Sequence, residues 1–354
     1  MNMRMKRYVI TGLVLMAAAT LTVAHAASKK ASSGRASLPT RSADPYLGAM
    51  VIDAATGQVL FEKNADQTGF PASVIKLMDA FVILDRVAEG QLSMSNTVTV
   101  TAESSRIGGS QVYLAEHETF SLEDLFYALM VQSANDSASA MAIHVGGTAS
   151  GFVEMMNRKA AALNMTNTRF HSVHGLPPAA GQAGDVSSAR DLATLARELI
   201  RCHPEVLQYT ATRERGFRDN KFTLRNHNPL LVTFQGCDGL KTGYITAGGF
   251  SIVVTAERNG RRVIAVVLGS KDRLVRNKEA AELMSKGFAA LPPLPPPVVM
   301  TNSVPTNTVV MPEPAGEVEV ASTSSHGLAA AGFGVLGGLV LAGVIGWVMR
   351  RRDR

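Results

Sequence analysis

Apolar residues along the chain change their spacing twice, which divides the central part into strand-like and helix-like stretches. Apolar runs at 47–53 and 58–62 flank Ala-Ala-Thr-Gly, and runs at 250–256 and 263–268 flank Asn-Gly, so each pair predicts a β-hairpin. Residues 71–210 between them carry apolar side chains at helical spacing. The pattern therefore predicts an α/β (α+β) fold, with one antiparallel sheet closed by both chain ends and a helical subdomain.

Within the helical stretch, two helices have recognisable features. Ser121 precedes two acidic residues and an apolar run that continues through Met130. A serine at this position can cap a helix, and early acidic side chains suit the positive end of the helix dipole. A further helix is predicted over 191–200.

Both chain ends carry apolar segments typical of exported membrane proteins. Basic residues in 1–7, an apolar run over 8–23 and the pattern Ala-His-Ala at 24–26 together predict a secretory signal peptide over 1–26. Residues 328–349 are uncharged and apolar, and at about 1.5 Å per residue they would reach across a bilayer core. The sequence thus predicts a single-pass transmembrane helix at 328–349.

The remaining segments complete the predicted organisation. Residues 27–43 form a polar linker, 44–290 a folded domain that must hold the function, and 291–327 a stalk whose prolines favour extended chain. The arginine-rich tail, 350–354, belongs on the cytoplasmic side of a membrane. The domain at 44–290 is therefore expected on the extracytoplasmic face, periplasmic or outer, and cleavage of the signal stays open.

The net positive charge of the chain is located in the same two end segments. The chain of 354 residues has 35 Lys and Arg against 29 Asp and Glu, a net charge of +6. Residues 1–7 hold three of these charges and 350–354 hold a net three more, so the remainder is neutral. The excess of basic residues therefore indicates the orientation of the chain in a membrane, and no nucleic-acid partner is predicted.

The sequence gives little indication of a metal site or a disulfide framework. Cys202 and Cys237 are too few for a disulfide framework or a four-cysteine zinc site, although a disulfide between them stays open. His171 and His174 lie three residues apart without a carboxylate companion, so structural or loop roles are favoured and no metal is predicted.

Ser73 and Lys76 form the first of three short motifs that carry chemistry. Residues three apart share a helix face, so the Lys76 amine can reach the Ser73 hydroxyl. A buried lysine with a lowered pKa can remove the proton that keeps serine a poor nucleophile. Alone, this spacing occurs by chance in a chain of this length.

Two further motifs follow in the sequence. Ser133 and Asn135 can move a proton and hold a peptide group, although alone they are more typical of a helix cap. The side chains of Lys241 and Thr242 can bind a carboxylate, and Gly243 lets a substrate backbone approach closely. In isolation, these three residues would indicate only a turn and the start of a strand.

The motifs S-x-x-K, S-x-N and K-T-G occur together, in this order, in a domain that is predicted to be exported. In this combination the sequence resembles the D-alanyl-D-alanine carboxypeptidases, the low-molecular-mass penicillin-binding proteins. Asp238-Gly239 before K-T-G and Ser-Ser-Ala-Arg-Asp at 187–191 strengthen the similarity, which covers about 44–290. The resemblance implies a penicillin-binding-protein/β-lactamase-like fold.

The resemblance also implies roles for the motif residues. Ser73 would be the nucleophile that forms an acyl-enzyme with a peptidoglycan stem peptide, Lys76 its general base, and Ser133 the proton donor to the leaving D-Ala. The N–H groups of Ser73 and Tyr244 would form the oxyanion hole. Substrate-binding residues would be Asn135, Lys241, Thr242, Gly243, Tyr244 and Arg276, although Arg276 is almost as typical of a solvated charge. β-Lactams would be covalent inhibitors, and no cofactor is implied.

Several alternatives bear on the activity. Many family members carry a second, all-β domain where the proline-rich stalk follows here, so we expect that domain to be absent. Since related D,D-endopeptidases also lack it, the bond that is cleaved stays open. A non-catalytic cell-wall binding module is a less favoured alternative.

A Ser-His-Asp hydrolase is not supported, because G-x-S-x-G is absent although His227 is available. An E-x-x-x-N context typical of class A β-lactamases is also absent, which predicts slow release of bound penicillin.

Overall fold

The computed structural model describes residues 44–292. The predicted signal peptide, linker, transmembrane helix and basic tail lie outside these residues, as does almost all of the predicted stalk. Within 44–292, no helix combines the length and apolar character needed to cross a bilayer.

The described residues form strands at both ends and helices between them. The strands are β1 (Gly48–Asp53), β2 (Val59–Lys63), β3 (Thr97–Thr99), β4 (Thr119–Ser121), β5 (Glu214–Phe217), β6 (Phe222–Arg225), β7 (Cys237–Ile245), β8 (Gly249–Arg258) and β9 (Arg261–Ser270). The helices are α1 (Lys76–Ala88), α2 (Ala102–Ser105), α3 (Leu122–Tyr127), α4 (Asn135–Gly146), α5 (Ala149–Ala162), α6 (Ala189–Cys202), α7 (Val206–Thr210), α8 (Leu230–Thr233) and α9 (Arg273–Ala290).

The main sheet has the antiparallel order β2-β1-β9-β8-β7, so it combines strands from the start and the end of the described chain. β1 and β9 pair with Gly48 opposite Leu268 and Asp53 opposite Val263. Both predicted hairpins are present, as β1–β2 and β8–β9. The mixed fold with an antiparallel sheet and a helical region is confirmed.

Both faces of this sheet are buried at β1, β8 and β9, which explains why these strands consist mainly of apolar residues. On β9, Val263, Ala265 and Val267 pack towards Leu283 and Met284 of α9. The alternate residues, including Ile264 and Val266, belong to the larger core shared with α1 and α6. Each fully buried Val or Ile contributes about 1.5–3 kcal/mol, so this two-sided packing stabilises the strands that carry the site.

Two short pairs of strands were not predicted from the sequence. β3 and β4 pair with each other inside the stretch 71–210 that was predicted to be helical, and β5 pairs with β6 just after it. Strands of three or four residues are too short to display a two-residue alternation, so periodicity could not reveal them.

Candidate active site

The first part of the site is the 3₁₀ turn Ala72–Ile75, which runs directly into α1. Ser73 lies in this turn and Lys76 begins α1, so their side chains share one face. The Lys76 Nζ lies 3.0 Å from the Ser73 Oγ. The structure thus brings the predicted nucleophile and the predicted base within hydrogen-bonding distance.

Lys76 is fully buried, and its Nζ has two further partners. It donates to Asn135 Oδ1 at 2.7 Å and to the carbonyl oxygen of His174 at 2.8 Å. The Ser73 Oγ, the Asn135 Oδ1 and the His174 carbonyl oxygen together match the three N–H donors of an ammonium. An unprotonated amine would keep two of these donors and offer its lone pair to the Ser73 O–H, and this is the form that a general base needs.

The electrostatic surroundings of Lys76 favour the same form. Burial lowers the pKa of Lys76 from its ordinary 10.5 to about 8, because a buried ammonium loses its hydration. The carboxylates of Asp79, Asp185 and Asp136 oppose this effect of burial on the pKa. A fraction of the amine is therefore unprotonated near neutral pH.

Ser133 and Asn135 enter the site at a break between two helical segments. A π-helical turn, Ala128–Gln132, ends at Ser133, whose φ of 62° is left-handed, and α4 begins at Asn135. This conformation costs a serine about 1 kcal/mol or more. The break places both residues on the wall of the cleft that contains Ser73.

Strand β7 supplies another wall of this cleft. Lys241 and Thr242 are buried, and the Lys241 Nζ donates to the carbonyl oxygen of Thr242 at 3.1 Å. Burial, together with the charges of Lys76 and Arg276, holds the pKa of Lys241 well below its ordinary 10.5. A bound carboxylate would supply the missing counter-charge, so this part of the site suits an anionic group.

Arg276 lies in the first turns of α9, and the alternative of a solvated charge is wrong because only 3% of it is exposed. Its Nε and Nη2 donate to Asn277 Oδ1 at 3.0 and 2.6 Å. Burial and the nearby charge of Arg273 lower the pKa of Arg276 to about 10, so the guanidinium stays positive at neutral pH. It therefore adds a positively charged side chain to the cleft.

The cleft has a volume of about 830 Å³ and gathers almost all the predicted residues. Those that line it are Ser73, Ser133, Asn135, Thr242, Gly243, Tyr244 and Arg276. Lys76 and Lys241 are buried, and each donates a hydrogen bond to a lining residue. The Tyr244 ring is stacked on Phe250 at 4.2 Å between centroids, which gives the cleft an apolar rim.

Gly243 lets β7 pack directly against the turn that carries Ser73. A Cβ at position 243 would lie 2.5 Å from the carbonyl oxygen of Pro71 and 3.1 Å from the backbone nitrogen of Ser73. No side chain fits at this distance, so only glycine permits the observed spacing between the Ser73 N–H and β7.

A Gly243→Ala substitution is therefore expected to slow acylation by penicillin about 100- to 1000-fold, the usual cost of misplacing an oxyanion donor. The rate of labelling by a fluorescent penicillin measures this loss. Gly90→Ala is the matched control, because Gly90 has a φ of +71° but no atom near its added Cβ. It should lower stability by about 1–2 kcal/mol and leave the rate unchanged. Equal rates for wild type and Gly243→Ala would contradict the packing argument.

Two histidines contribute to the site, although the sequence analysis assigned neither of them a role in it. His174 contributes its backbone carbonyl to Lys76, and its ring Nδ1 accepts from the Leu176 N–H at 3.1 Å. His227 lines the cleft, where burial and the charges of Lys241 and Arg276 lower its pKa to about 4. A backbone carbonyl has no residue-type signature, so no motif could have identified the role of His174.

The cysteines take no part in a disulfide. Cys202 and Cys237 are free thiols, which answers the question that the sequence left open. Burial raises the pKa of Cys237 to about 11, so its thiol is poorly nucleophilic. Across 44–292, no group of three or more His, Cys, Asp or Glu side chains is placed to hold a metal ion.

Comparisons with known proteins agree with this geometry. The family model described as D-alanyl-D-alanine carboxypeptidase matches residues 35–272. The D-alanyl-D-alanine carboxypeptidase DacF of Bacillus subtilis is 32% identical over 80% of this chain and 72% of its own length. DacC of Escherichia coli is 35% identical over 68% of this chain, and the match spans 60% of that relative.

Solved structures give the same result. Penicillin-binding protein D2 of Listeria monocytogenes, in its ampicillin-bound form, has 35% identity and a TM-score of 0.63, covering 69% of this chain and 97% of the other. The Streptomyces K15 DD-transpeptidase has 28% identity and a TM-score of 0.64, covering 71% and 99%. With the Ser73–Lys76 pair and the β7 wall in one cleft, these matches confirm the resemblance: the chain belongs to the D-alanyl-D-alanine carboxypeptidase family of serine peptidases.

Proposed function

We propose that the chain is a serine D-alanyl-D-alanine carboxypeptidase that removes the terminal D-Ala from peptidoglycan stem peptides. The observation that carries this proposal is the 3.0 Å contact between Lys76 Nζ and Ser73 Oγ, in a cleft that also carries Thr242 and Arg276. The serine and its base can attack a peptide bond, and the positively charged wall beside them can bind the free carboxylate at the end of the peptide.

In the first step, the Ser73 Oγ bonds to the carbonyl carbon of the penultimate D-Ala as its proton passes to the Lys76 Nζ. The carbonyl oxygen becomes an oxyanion, which the N–H groups of Ser73 and Tyr244 would stabilise. The C–N bond then breaks as the carbonyl re-forms, Ser133 passes its hydroxyl proton to the departing amine and regains a proton from the Lys76 ammonium, and the acyl group remains as an ester on Ser73. Water cleaves this ester and restores the hydroxyl.

A β-lactam would follow the same route as far as the acyl-enzyme. Opening of the four-membered ring leaves the departing nitrogen attached to the acyl group, so the product stays in the cleft. The ampicillin-bound Listeria relative supports penicillin as a ligand. Because the sequence has no E-x-x-x-N context that would supply an activating Glu for water, the acyl-enzyme with penicillin should be long-lived.

We also propose that the chain sits in the cell membrane, with its catalytic domain on the extracytoplasmic face and its C-terminus in the cytoplasm. The support is the sequence of 1–26 and 328–354, whose orientation signals agree with each other. The proposed substrate agrees as well, since peptidoglycan lies outside the cytoplasmic membrane.

Two substrates distinguish the proposed reaction from its alternatives. The full-length chain in detergent is incubated with a pentapeptide that ends in D-Ala-D-Ala and with a cross-linked muropeptide dimer, and the products are separated by chromatography. We expect free D-Ala from the pentapeptide and an intact dimer. Cleavage of the dimer alone would identify a D,D-endopeptidase, and binding without either product would identify a non-catalytic cell-wall module.

A further inference from the structure

The active-site cleft is lined by two arginines, and no Asp or Glu is among the described residues that line it. Arg273 and Arg276 both lie in the first turns of α9. Within 44–292, neither guanidinium forms an ion pair with a carboxylate, whereas Arg262 in β9 pairs with Asp238 at 2.7 Å. The positive charge at this end of the cleft can therefore attract negative charges on a ligand.

Arg273 differs from Arg276 in its surroundings. Arg276 is buried and donates to Asn277. The Arg273 side chain is exposed, and in the part of the chain that the structure describes it makes neither a hydrogen bond nor an ion pair. The neighbouring Asp272 carboxylate caps α9 instead, because its Oδ1 accepts two backbone N–H groups at 2.7 and 3.1 Å. All the side-chain donors of Arg273 thus remain for a ligand or for solvent.

The proposed substrate can carry more carboxylates than the reaction above uses. The terminal D-Ala supplies one, which Thr242 and Arg276 would bind. The third residue of the stem peptide is a diamino acid, and its side chain supplies a further carboxylate when it is meso-diaminopimelate. L-lysine at this position would present an ammonium alone. A cleft with two arginines and no acidic lining residue favours the first side chain and disfavours the second.

The spacing of the two arginines suits such a peptide. Residues two apart in an extended chain point to the same side and lie about 6–7 Å apart, and the third and the terminal residues of the pentapeptide stand in this relation. Arg273 and Arg276 are three residues apart on α9, so their Cβ atoms are about 5–6 Å apart. An extended pentapeptide whose end lies at Arg276 would therefore bring its third side chain within reach of Arg273.

We propose that Arg273 is a specificity-determining residue that binds the side-chain carboxylate of the third stem-peptide residue, so that the enzyme prefers stem peptides with meso-diaminopimelate to those with L-lysine. The inference rests on the proposed function, because it names the substrate class of the same cleft. Arg273 would contribute binding energy away from the reacting atoms, and the roles of Ser73 and Lys76 are the same for both peptides.

The experiment measures kcat/KM for D-Ala release by the full-length chain in detergent from two pentapeptides that differ only in the third residue. The wild type should prefer the meso-diaminopimelate peptide to the L-lysine peptide about 5- to 20-fold. Arg273→Gln should remove this preference by lowering kcat/KM for the diaminopimelate peptide, while the value for the lysine peptide stays within about twofold. Arg273→Lys keeps the charge without the planar fork of donors, so it should retain part of the preference.

Two controls separate recognition from a loss of structure. Arg169→Gln is the matched variant, because the Arg169 side chain is also exposed and has no hydrogen bond or ion pair within 44–292, but it does not line the cleft. It should keep the wild-type preference. Benzylpenicillin has one carboxylate, which Thr242 and Arg276 would bind, so Arg273→Gln should be acylated by it at the wild-type rate.

The outcomes distinguish this inference from the proposed function. A preference that persists in Arg273→Gln, or a wild type without a preference, would overturn the role of Arg273 while D-Ala release leaves the proposed function intact. An equal loss for both peptides would also overturn it, because both share the D-glutamate carboxylate at the second position. A wild-type chain that releases no D-Ala from either peptide would overturn the proposed function itself. Loss of the preference in Arg273→Gln, absent from Arg169→Gln, supports the proposal.

Discussion

Replacing Ser73 with alanine is expected to abolish covalent labelling by penicillin and to reduce D-Ala release by at least about 10⁴-fold. The substitution removes the only atom that would bond to the substrate carbonyl. Lys76 keeps its contacts with Asn135 Oδ1 and the His174 carbonyl, so the site should stay folded. Gel detection of a fluorescent penicillin and chromatographic detection of D-Ala measure the two losses.

Ser95→Ala is the control for this variant. Ser95 is exposed in the segment before β3, where its hydroxyl contacts only Ser93 among the contacts described. Its loss should change neither labelling nor product release. Persistent covalent labelling of Ser73→Ala would show that another residue is the nucleophile.

The second large effect is expected for Lys76→Met, which removes the amine but keeps an unbranched chain of similar length. Loss of a general base slows acylation about 10²- to 10⁴-fold, and the rise in rate with pH near the pKa of Lys76, about 8, should disappear. The Asn135 Oδ1 and the His174 carbonyl lose their shared donor, which should also lower the free energy of unfolding by about 1–3 kcal/mol.

Stopped-flow acylation rates and thermal melting separate these two consequences. Lys278→Met, on the exposed surface of α9, is the control, because within residues 44–292 the one ion pair of its amine is with Glu282 at 3.6 Å. It should retain both the rate and the pH profile of the wild type. An unchanged pH profile in a folded Lys76→Met variant would assign the base to a different group.

The parts of the fold that the sequence predicted well are those with local signals. Asn259 and Gly260 both adopt positive φ, of 52° and 69°, which is the conformation that an Asn-Gly hairpin turn requires. Ser121 caps α3 by accepting the backbone N–H of Asp124 at 3.0 Å, as its position before two acidic residues predicted. The sharing of one sheet by strands from both ends of the domain is non-local and was expected only from the rule that strands need a common sheet, whereas the pairing of β1 with β9 itself was not predicted.

In the active site, too, the contacts that depend on local spacing were predicted and those that depend on tertiary packing were not. The i, i+3 spacing of Ser73 and Lys76 predicted their contact, because one helix face brings such residues together. The contact of Asn135 with Lys76 was not predicted, since the resemblance implied only that Asn135 would hold the substrate. The burial of Arg276 was also open, because exposure depends on how α9 packs on the sheet and not on its own sequence.

The pairing of β1 with β9 has a consequence for when activity can first arise during synthesis. Asp53 contacts Arg261 across 208 residues of chain, so the sheet cannot be completed until its last strands are available. Closing so long a loop is entropically costly, and β7 reaches β1 only through β8 and β9. A nascent chain that ends before β9 would therefore lack a supported Lys241–Thr242 wall and should bind no penicillin, whereas the completed chain would gain its sheet and its active site together.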